Sequence, residues 1–288
     1  MNFNWMKYKI VYAIMSAVFV GVGVLSLAMW GLPLGLEFTG GAEIDYKVSL
    51  DKRSDVMSSL EEIAENAIVQ SSANDHIIVK LPEVAQEERG QLLEKVVSVD
   101  SSAKEVQFQQ VGPSIGPELI KKTFFAIAIV AGSIFLWVAV QFRRIPFGVA
   151  AIFAMVHDTM VLIGVFSLLG HFYNAQVDFL FVTAVLTTLS FSVHDTIVVF
   201  DRIRELSKKH GGSLEELANR AVSETMRRSI INSMTIIVVL LSLVVWGGES
   251  IRWFATALLV GAISGTYSSP FIAVPLYITL EKLFRRSE

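Results

Sequence analysis

The sequence contains no cysteine among its 288 residues, which excludes disulfide bonds, a thiolate nucleophile and cysteine-ligated metal sites. It is also poor in charge, because Asp, Glu, Lys and Arg make up only 18% of the residues. Soluble domains have about 25% of these residues. Hydrophobic residues make up 53% of the chain. This balance excludes an ordinary soluble protein and favours one that spans a membrane.

The motifs of catalysis are missing as well. The sequence shows no nucleophile placed with a general base and no glycine-rich phosphate loop. We therefore expect no enzyme activity and no cofactor. The net charge of −3 does not by itself decide for or against nucleic acid, and we expect no such partner.

Six apolar stretches approach the roughly 20 residues that a helix needs to cross a bilayer. They cover residues 10–30, 124–140, 145–169, 179–200, 230–245 and 254–280. The first stretch follows Lys7 and Lys9, as the core of a cleaved secretion signal would. Its apolar run is longer than an ordinary signal core and lacks a small-x-small cleavage site, so we expect an uncleaved anchor.

Basic residues flank these stretches mainly on one side of the predicted membrane. They are Lys7 and Lys9, Arg143 and Arg144, seven residues from Arg202 to Arg228, and Lys282, Arg285 and Arg286. The positive-inside rule then predicts that both termini face the cytoplasm. Residues 36–120 carry sixteen Asp or Glu and only seven Lys or Arg. We predict a first helix within 1–35, an extracytoplasmic domain at 36–117, and five helices within 118–288 with a cytoplasmic loop at 201–228.

The outer domain has the pattern of a small α+β fold. Residues 42–48, 76–81 and 105–111 alternate in the manner of strands, and residues 54–68 place Val56, Leu60, Ile63 and Ala67 on one helical face. Residues 86–97 fit a second helix. We expect a ferredoxin-like domain. In the cytoplasmic loop, Leu214, Leu217, Ala218 and Val222 predict an amphipathic helix.

A repeated tetrapeptide inside two spans carries the strongest chemical signal. Val-His-Asp-Thr occurs at 156–159 in the third span and at 193–196 in the fourth. Ionisable residues inside the membrane are costly and tend to be functional. His157, Asp158, His194 and Asp195 could form a proton relay, with Asp158 deeper in the membrane than Asp195. The alternatives are interhelical hydrogen bonds that only hold helices together, and a metal site, which unequal depth disfavours.

Arg228 enters the fifth span from the cytoplasmic side, where its side chain could reach Asp195. A guanidinium next to a carboxylate favours the charged carboxylate, and this help is lost when the pair separates. Such a pair could gate proton uptake. The alternative for Arg228 is a positive-inside anchor, which is also the interpretation we favour for Arg227.

The last span combines small residues with proline. Gly261, Gly265 and Ser269 recur at a spacing of four and predict a face for close helix packing. Pro270 and Pro275 are expected to break or kink the same helix.

Three segments of the sequence resemble the SecF family. They are Phe38-Thr39-Gly40-Gly41, residues 193–205 (VHDTIVVFDRIRE, which includes Asp201 and Arg202) and residues 265–276 (GTYSSPFIAVPL, which includes Gly265 and Pro270). His157-Asp158 and Arg228-Ser229 also resemble this family. His194 departs from it, because Asn is frequent at that position, and the histidine adds a group that titrates near neutrality.

The resemblance implies a polytopic α-helical membrane protein, namely half of a resistance-nodulation-division transporter fold. It implies a SecD partner and residence in the bacterial cytoplasmic (inner) membrane. It further implies use of the proton-motive force to assist export of preprotein substrates through the SecYEG channel. Asp195 would then carry protons and Arg228 would be its cationic partner. The alternatives are a small-molecule efflux half-transporter of the same superfamily and a non-conducting scaffold.

Overall fold

The computed structural model describes residues 3–63, 67–71, 75–82, 84–112, 115–142, 144–209 and 211–286. Their contacts divide the chain into a helical unit, Met1–Pro33 with Phe124–Glu288, and a sheet unit, Leu34–Thr123. The helices are α1 Lys9–Trp30, α2 Leu36–Thr39, α3 Arg53–Ile63, α4 Gln86–Val99, α5 Ile115–Phe142, α6 Ile145–Tyr173, α7 Phe179–Lys209, α8 Leu214–Trp246, α9 Glu249–Ser268 and α10 Val274–Arg286. The strands are β1 Gly41–Lys47, β2 Ile68–Ser71, β3 His76–Leu81 and β4 Lys104–Val111.

The sheet unit has the predicted ferredoxin-like topology. Its strands pair in the order β2-β3-β1-β4, every pair is antiparallel, and α3 and α4 follow β1 and β3. Strand β2 was not predicted. The pattern predicts a helix over residues 54–68, whereas the described helix covers Arg53–Ile63 and Ile68 begins strand β2. Residues 64–66 lie outside the described residues. A four-residue edge strand is too short to show its own alternation next to a helical pattern.

The core of the sheet unit fills the space between the sheet and its two helices. Its fully buried side chains are Ile44, Tyr46, Val56, Leu60, Ile77, Val79 and Val96. Two of them, Val56 and Leu60, lie on the predicted helical face. The Asp100 carboxylate links the segment after α4 to the segment after β1. It accepts hydrogen bonds from the Ser102 hydroxyl (2.6 Å) and from the Ser49 backbone N–H (2.7 Å). These bonds hold the pKa of Asp100 well below its usual range.

Two glycines of the Phe38-Thr39-Gly40-Gly41 motif are required by the backbone at the start of β1. Gly40 has φ 71° and Gly41 has φ 114°, in the region that favours glycine. A Cβ atom on Gly41 would also collide with the carbonyl oxygen of Leu81 on the paired strand β3. The two glycines of this motif therefore have a structural role, because they allow the backbone to turn into β1.

In the part of the chain that the structure describes, six helical spans are long and apolar enough to cross a membrane, as predicted. Each is longer than its apolar stretch, because the helical backbone continues into the polar flanks. The segment 201–228 is mostly helical for this reason. The predicted amphipathic helix around Leu217 and Val222 forms the first turns of α8 and continues directly into the fifth span.

The sixth span is not broken at its prolines. A π-helical turn at Ser269–Ala273 joins α9 to α10, and Pro270 lies inside that turn. A wider turn accommodates a residue that has no backbone N–H to donate.

The predicted small-residue face of α9 packs closely, and the helix that it packs against is α7. A Cβ atom on Gly261 would collide with the Thr188 side chain, and one on Gly265 would lie 3.2 Å from the Cα atom of Ser192. Thr188 and Ser192 are four residues apart, so two small-residue faces meet. A similar contact between Gly23 of α1 and Gly164 of α6 was not predicted.

Both termini of the described chain lie at the same end of the helical unit. Glu215 of α8 pairs with Lys9 at the start of α1 (3.2 Å) and with Lys282 of α10 (2.8 Å). Asn219 accepts a hydrogen bond from the Met6 backbone N–H (2.8 Å). We refer to this end as the terminal end.

Candidate functional site

The two Val-His-Asp-Thr motifs lie on the adjacent helices α6 and α7. Asp158 and Asp195 are each only 4% exposed, so the folded chain buries both carboxylates. Their histidines differ, because the side chain of His157 is only 10% exposed whereas His194 is exposed. The surroundings of the two carboxylates differ still more.

Asp158 lies in a cage of serine hydroxyls. Ser192 of α7 and Ser268 of α9 donate hydrogen bonds to its Oδ2 atom, each at 2.6 Å. Ser264 of α9 donates to Oδ1, also at 2.6 Å. His157 Nδ1 lies 3.1 Å from the same Oδ1. Both carboxylate oxygens are therefore bonded by groups of the protein itself, without any need for water.

The serine cage follows from the geometry of α9. Ser264 and Ser268 are four residues apart and so share one helical face, which points at Asp158 of α6. Ser192 joins from α7, and the three helices meet at this single carboxylate. A hydrogen-bonded anchor of this kind fixes the mutual rotation of α6, α7 and α9.

Further hydroxyls continue the contact between α7 and α9. Thr196 and Ser269 lie 2.9 Å apart through their side-chain oxygens, and Ser269 also donates to the Ser192 carbonyl oxygen at 3.2 Å. Ser269 opens the π-helical turn. The hydroxyl of Ser192 belongs to the Asp158 cage, and its carbonyl oxygen accepts from Ser269. Among the described residues, no hydrogen bond continues from this group to Asp195.

Among the described residues, Asp195 has one close side-chain hydrogen-bond donor. Ser229 of α8 donates to its Oδ2 atom at 2.6 Å. The carboxylate lies at the wall of a cleft of about 550 Å³ between α7 and α8. The described lining residues are His194, Asp195, Val198, Glu224, Arg227, Arg228, Ser229, Ile231, Asn232 and Thr235. From Glu224 to Thr235 the cleft follows about 16 Å of helix, given a rise of about 1.5 Å per residue.

Arg228 lines the same cleft as Asp195, and its side chain is exposed. Within the ranges that the structure describes, it forms no ion pair or hydrogen bond with Asp195. The neighbouring Ser229 occupies the contact position on the carboxylate. The prediction that Arg228 is within reach of Asp195 thus corresponds to a shared cleft and not to a closed pair.

Two more charged residues, Arg227 and Glu224, line the cleft. Arg227 lines it together with Arg228. Glu224 lines it as well and is held in place by Arg202 of α7 (2.5 Å) and Arg220 of α8 (2.8 Å). Because Glu224, Arg227 and Arg228 are exposed, the cleft connects the buried Asp195 carboxylate to the surface of the helical unit.

The remaining family-motif residues serve packing in this structure. Asp201 pairs with Arg204 at 2.6 Å on the last turns of α7. Gly265 allows the close contact of α9 with α7, and Pro270 is buried in the π-helical turn. Phe38 is buried. Among the described residues, no group of three or more His, Asp or Glu side chains has a geometry suited to a metal ion.

Sequence reasoning found both carboxylates but missed the four serines that distinguish them. Ser264 and Ser268 carried a usable signal, because two serines four residues apart on a membrane helix mark a polar face. Ser192 lies one turn before Asp195, and its sequence position gives no sign that it donates to Asp158. Ser229 was noted only as the neighbour of Arg228.

Comparison with known proteins places these features in a family. The family model described as protein export membrane protein SecD/SecF, C-terminal, matches residues 91–283. The chain is 37% identical to the protein translocase subunit SecF of Thermobaculum terrenum, over 98% of this chain and 96% of that protein. It is 34% identical to SecF of Anaerolinea thermophila, over 96% of this chain and 92% of that protein.

Solved structures agree with the sequence comparison. The crystal structure of SecDF, a translocon-associated membrane protein from Thermus thermophilus, matches with a TM-score of 0.87 at 30% identity. A SecDF structure in the super-membrane-facing form matches with a TM-score of 0.71 at 30% identity. These matches cover 97% and 99% of this chain but only 39% of each SecDF chain.

Proposed function

This chain belongs to the SecF family of protein translocase subunits, and from that premise we propose that it couples a transmembrane proton gradient to protein export through Asp195. The observation that supports this role is the position of the Asp195 carboxylate. It is buried between membrane helices, yet it lies at the wall of a cleft lined by exposed charged side chains. A buried ionisable group with a path to water can take up and release protons.

Arg228 and Ser229 adjust this exchange in the proposed mechanism. Ser229 holds one carboxylate oxygen in a fixed orientation. Arg228 adds a positive charge to the same cleft, and any motion that brings it closer to Asp195 favours the deprotonated form. Relative movement of α7 and α8 would thus change the affinity of Asp195 for a proton.

Asp158 takes a different role in this proposal. Three serine donors already satisfy its oxygens, so a proton that joined it would displace at least one of these bonds. We assign Asp158, together with His157, to a fixed anchor between α6, α7 and α9. His194 lines the cleft with Asp195 and is the histidine placed to influence proton exchange.

A SecD partner fits the family and the size of the solved relatives, because this chain spans about two fifths of each SecDF chain. The six apolar spans make it a multi-pass protein of the inner membrane. We further propose that the terminal end faces the cytoplasm, since most of the flanking basic residues lie there. The sheet unit would then lie outside, where it could meet preprotein substrates that leave the SecYEG channel.

The test is gradient-dependent export by Asp195→Asn in membrane vesicles that contain the whole translocase. The expected result is normal insertion and assembly with loss of the stimulation that a proton gradient gives. The comparison variant is Asp158→Asn, which should keep the ratio of export with and without an uncoupler, even if less protein accumulates. Full stimulation in Asp195→Asn would contradict the proposal.

The same experiment addresses the two alternatives. A scaffold role predicts that Asp195→Asn changes assembly and export together, with no specific loss of the gradient response. The efflux interpretation has lost its support, because the relatives found are translocase subunits.

A further inference from the structure

A second cavity opens at the terminal end of the helical unit, away from the Asp195 cleft. Its volume is about 880 Å³, within the range of ligand-binding cavities. The described lining residues are Val140, Gln141, Phe142, Arg144, Phe147, Arg204, Ser207, Lys208, Leu214 and Tyr277. They come from the end of α5, the beginning of α6, the end of α7, the beginning of α8 and from α10.

The charge of this cavity has one sign. Arg144 lines it from the start of α6, and Arg204 and Lys208 line it from the last turns of α7. None of the described lining residues is acidic. The N-terminus of the long helix α6 adds partial positive charge next to Arg144. The three cations converge on one space, whereas residues that served only as positive-inside anchors would point independently to solvent.

The three cations differ in how many hydrogen bonds and ion pairs they already form within the protein. Arg144 pairs with the buried Glu281. Arg204 bonds Asp201 and the Gln141 carbonyl oxygen. Lys208 is exposed, and in the described part of the chain it has no hydrogen bond or ion pair. The lining therefore keeps positive charge for an external anion.

An apolar, aromatic wall lies beneath the charges. The rings of Phe147 and Tyr277 stack at 4.0 Å, and the rings of Phe142 and Phe147 lie 4.9 Å apart. The Arg204 guanidinium lies over the Phe142 ring at 5.1 Å. Val140, at the edge of the cavity, is 67% exposed and so presents an apolar side chain to the surroundings of the helix.

We propose that this cavity binds the headgroup of an anionic phospholipid, with the phosphate between Arg204 and Lys208 and the acyl chains leaving past Val140. The cavity lies at the ends of membrane-spanning helices, which is the level of the headgroups. Basic pockets between spans at this level are suited to anionic lipids. A soluble anion would be served by the cations alone, whereas the aromatic wall and the exposed Val140 also match the apolar part of a lipid.

The experiment measures lipid retention by the purified full-length chain in neutral detergent. Native mass spectrometry would compare phosphatidylglycerol with phosphatidylcholine of identical acyl chains. We expect tighter binding of phosphatidylglycerol. Lys208→Gln should weaken its binding about fivefold, and Lys208→Gln combined with Arg204→Gln about 25-fold, from the attraction of one cation for an anionic headgroup.

The matched control is Lys209→Gln on the same helix, because Lys209 is exposed and does not line the cavity. It should leave phosphatidylglycerol binding unchanged. Equal binding of the two lipids, or full binding by Lys208→Gln, would overturn the proposal. Displacement of the lipid by millimolar inorganic phosphate would also overturn it in favour of a soluble anion. If the double variant fails to fold, Lys208→Gln still decides the question, since it removes no described contact.

Discussion

The same four residues, Val-His-Asp-Thr, occupy two environments in this protein. At 156–159 the aspartate is bonded by three serines and its own histidine, and three helices close around it. At 193–196 the aspartate has one serine donor and lies at the wall of a charged cleft. Both carboxylates are equally buried, so burial alone does not separate their roles. Their roles are separated by the number of hydrogen-bond donors that the protein supplies to each carboxylate and by the cleft that connects Asp195 to the surface.

The neighbours of a membrane carboxylate thus determine what it can do. A carboxylate saturated by protein hydroxyls is held in one arrangement and contributes to the packing of helices. A carboxylate with unfilled acceptor positions can exchange protons with water and respond to a nearby cation. The following variants test this contrast, beginning with the largest expected effect.

Asp158→Ala should have the largest effect on stability. It removes the acceptor that the hydroxyls of Ser192, Ser264 and Ser268 share, and only Ser268 has a second described acceptor, the Gly265 carbonyl oxygen at 3.3 Å. We expect the free energy of unfolding in detergent to fall by about 2–4 kcal/mol, since each buried polar group left unpaired costs on the order of 1 kcal/mol. Thermal unfolding followed by circular dichroism is the measurement. The corresponding change at the other motif, Asp195→Ala, should cost less than half as much.

If Asp195→Ala destabilised the fold as strongly as Asp158→Ala, the distinction between an anchor and an exchange site would fail.

Arg228→Lys should have an intermediate effect, seen in export and not in stability. The variant keeps the positive charge of the cleft but loses the planar fork of the guanidinium. We expect gradient-stimulated export to fall by several fold with unchanged unfolding. Arg227→Lys is the matched control, because it makes the same chemical change at the neighbouring lining residue and should leave export unchanged. Full export by Arg228→Lys would indicate a simple anchor.

Ser229→Ala should have the smallest effect. It removes the hydroxyl that donates to Asp195, and a single hydrogen bond of this kind contributes about 0.5–1.5 kcal/mol. The expected result is a modest shift in the pH dependence of gradient-stimulated export, with assembly intact. Ser223→Ala on the same helix is a control, since its hydroxyl contacts Trp5 and lies outside the cleft. Equal shifts in both variants would show that the effect is not specific to Asp195.

Much of the architecture followed from the sequence for simple physical reasons. The six spans were predictable because long apolar runs have few other uses. The close-packing face of α9 was predictable from small residues at a spacing of four, although its partner α7 was not. Strand β2 was missed because four edge residues next to a helical pattern carry too little periodicity. The π-helical turn was missed because proline marks a disturbed helix without specifying its form.

The site was only half predictable. The motif identified Asp158 and Asp195, and the order of the spans suggested that Arg228 lies near Asp195. The cage around Asp158 was not visible, because its donors lie 34, 106 and 110 residues away along the chain. Serine is also common in membrane helices, and its partner depends on the rotation of helices about their axes. That rotation is set by tertiary packing, which local patterns do not encode.

The most direct test of the contrast between the two motifs is labelling with a hydrophobic carbodiimide. Such reagents react with protonated carboxyl groups that they can reach within a membrane. Peptide mass spectrometry of the intact, membrane-embedded protein would report the modification of Asp158 and Asp195 separately over a range of pH. We predict labelling of Asp195 that falls as pH rises, with Asp158 unmodified throughout. Labelling of Asp158 with Asp195 unmodified would contradict the assignment of the two carboxylates.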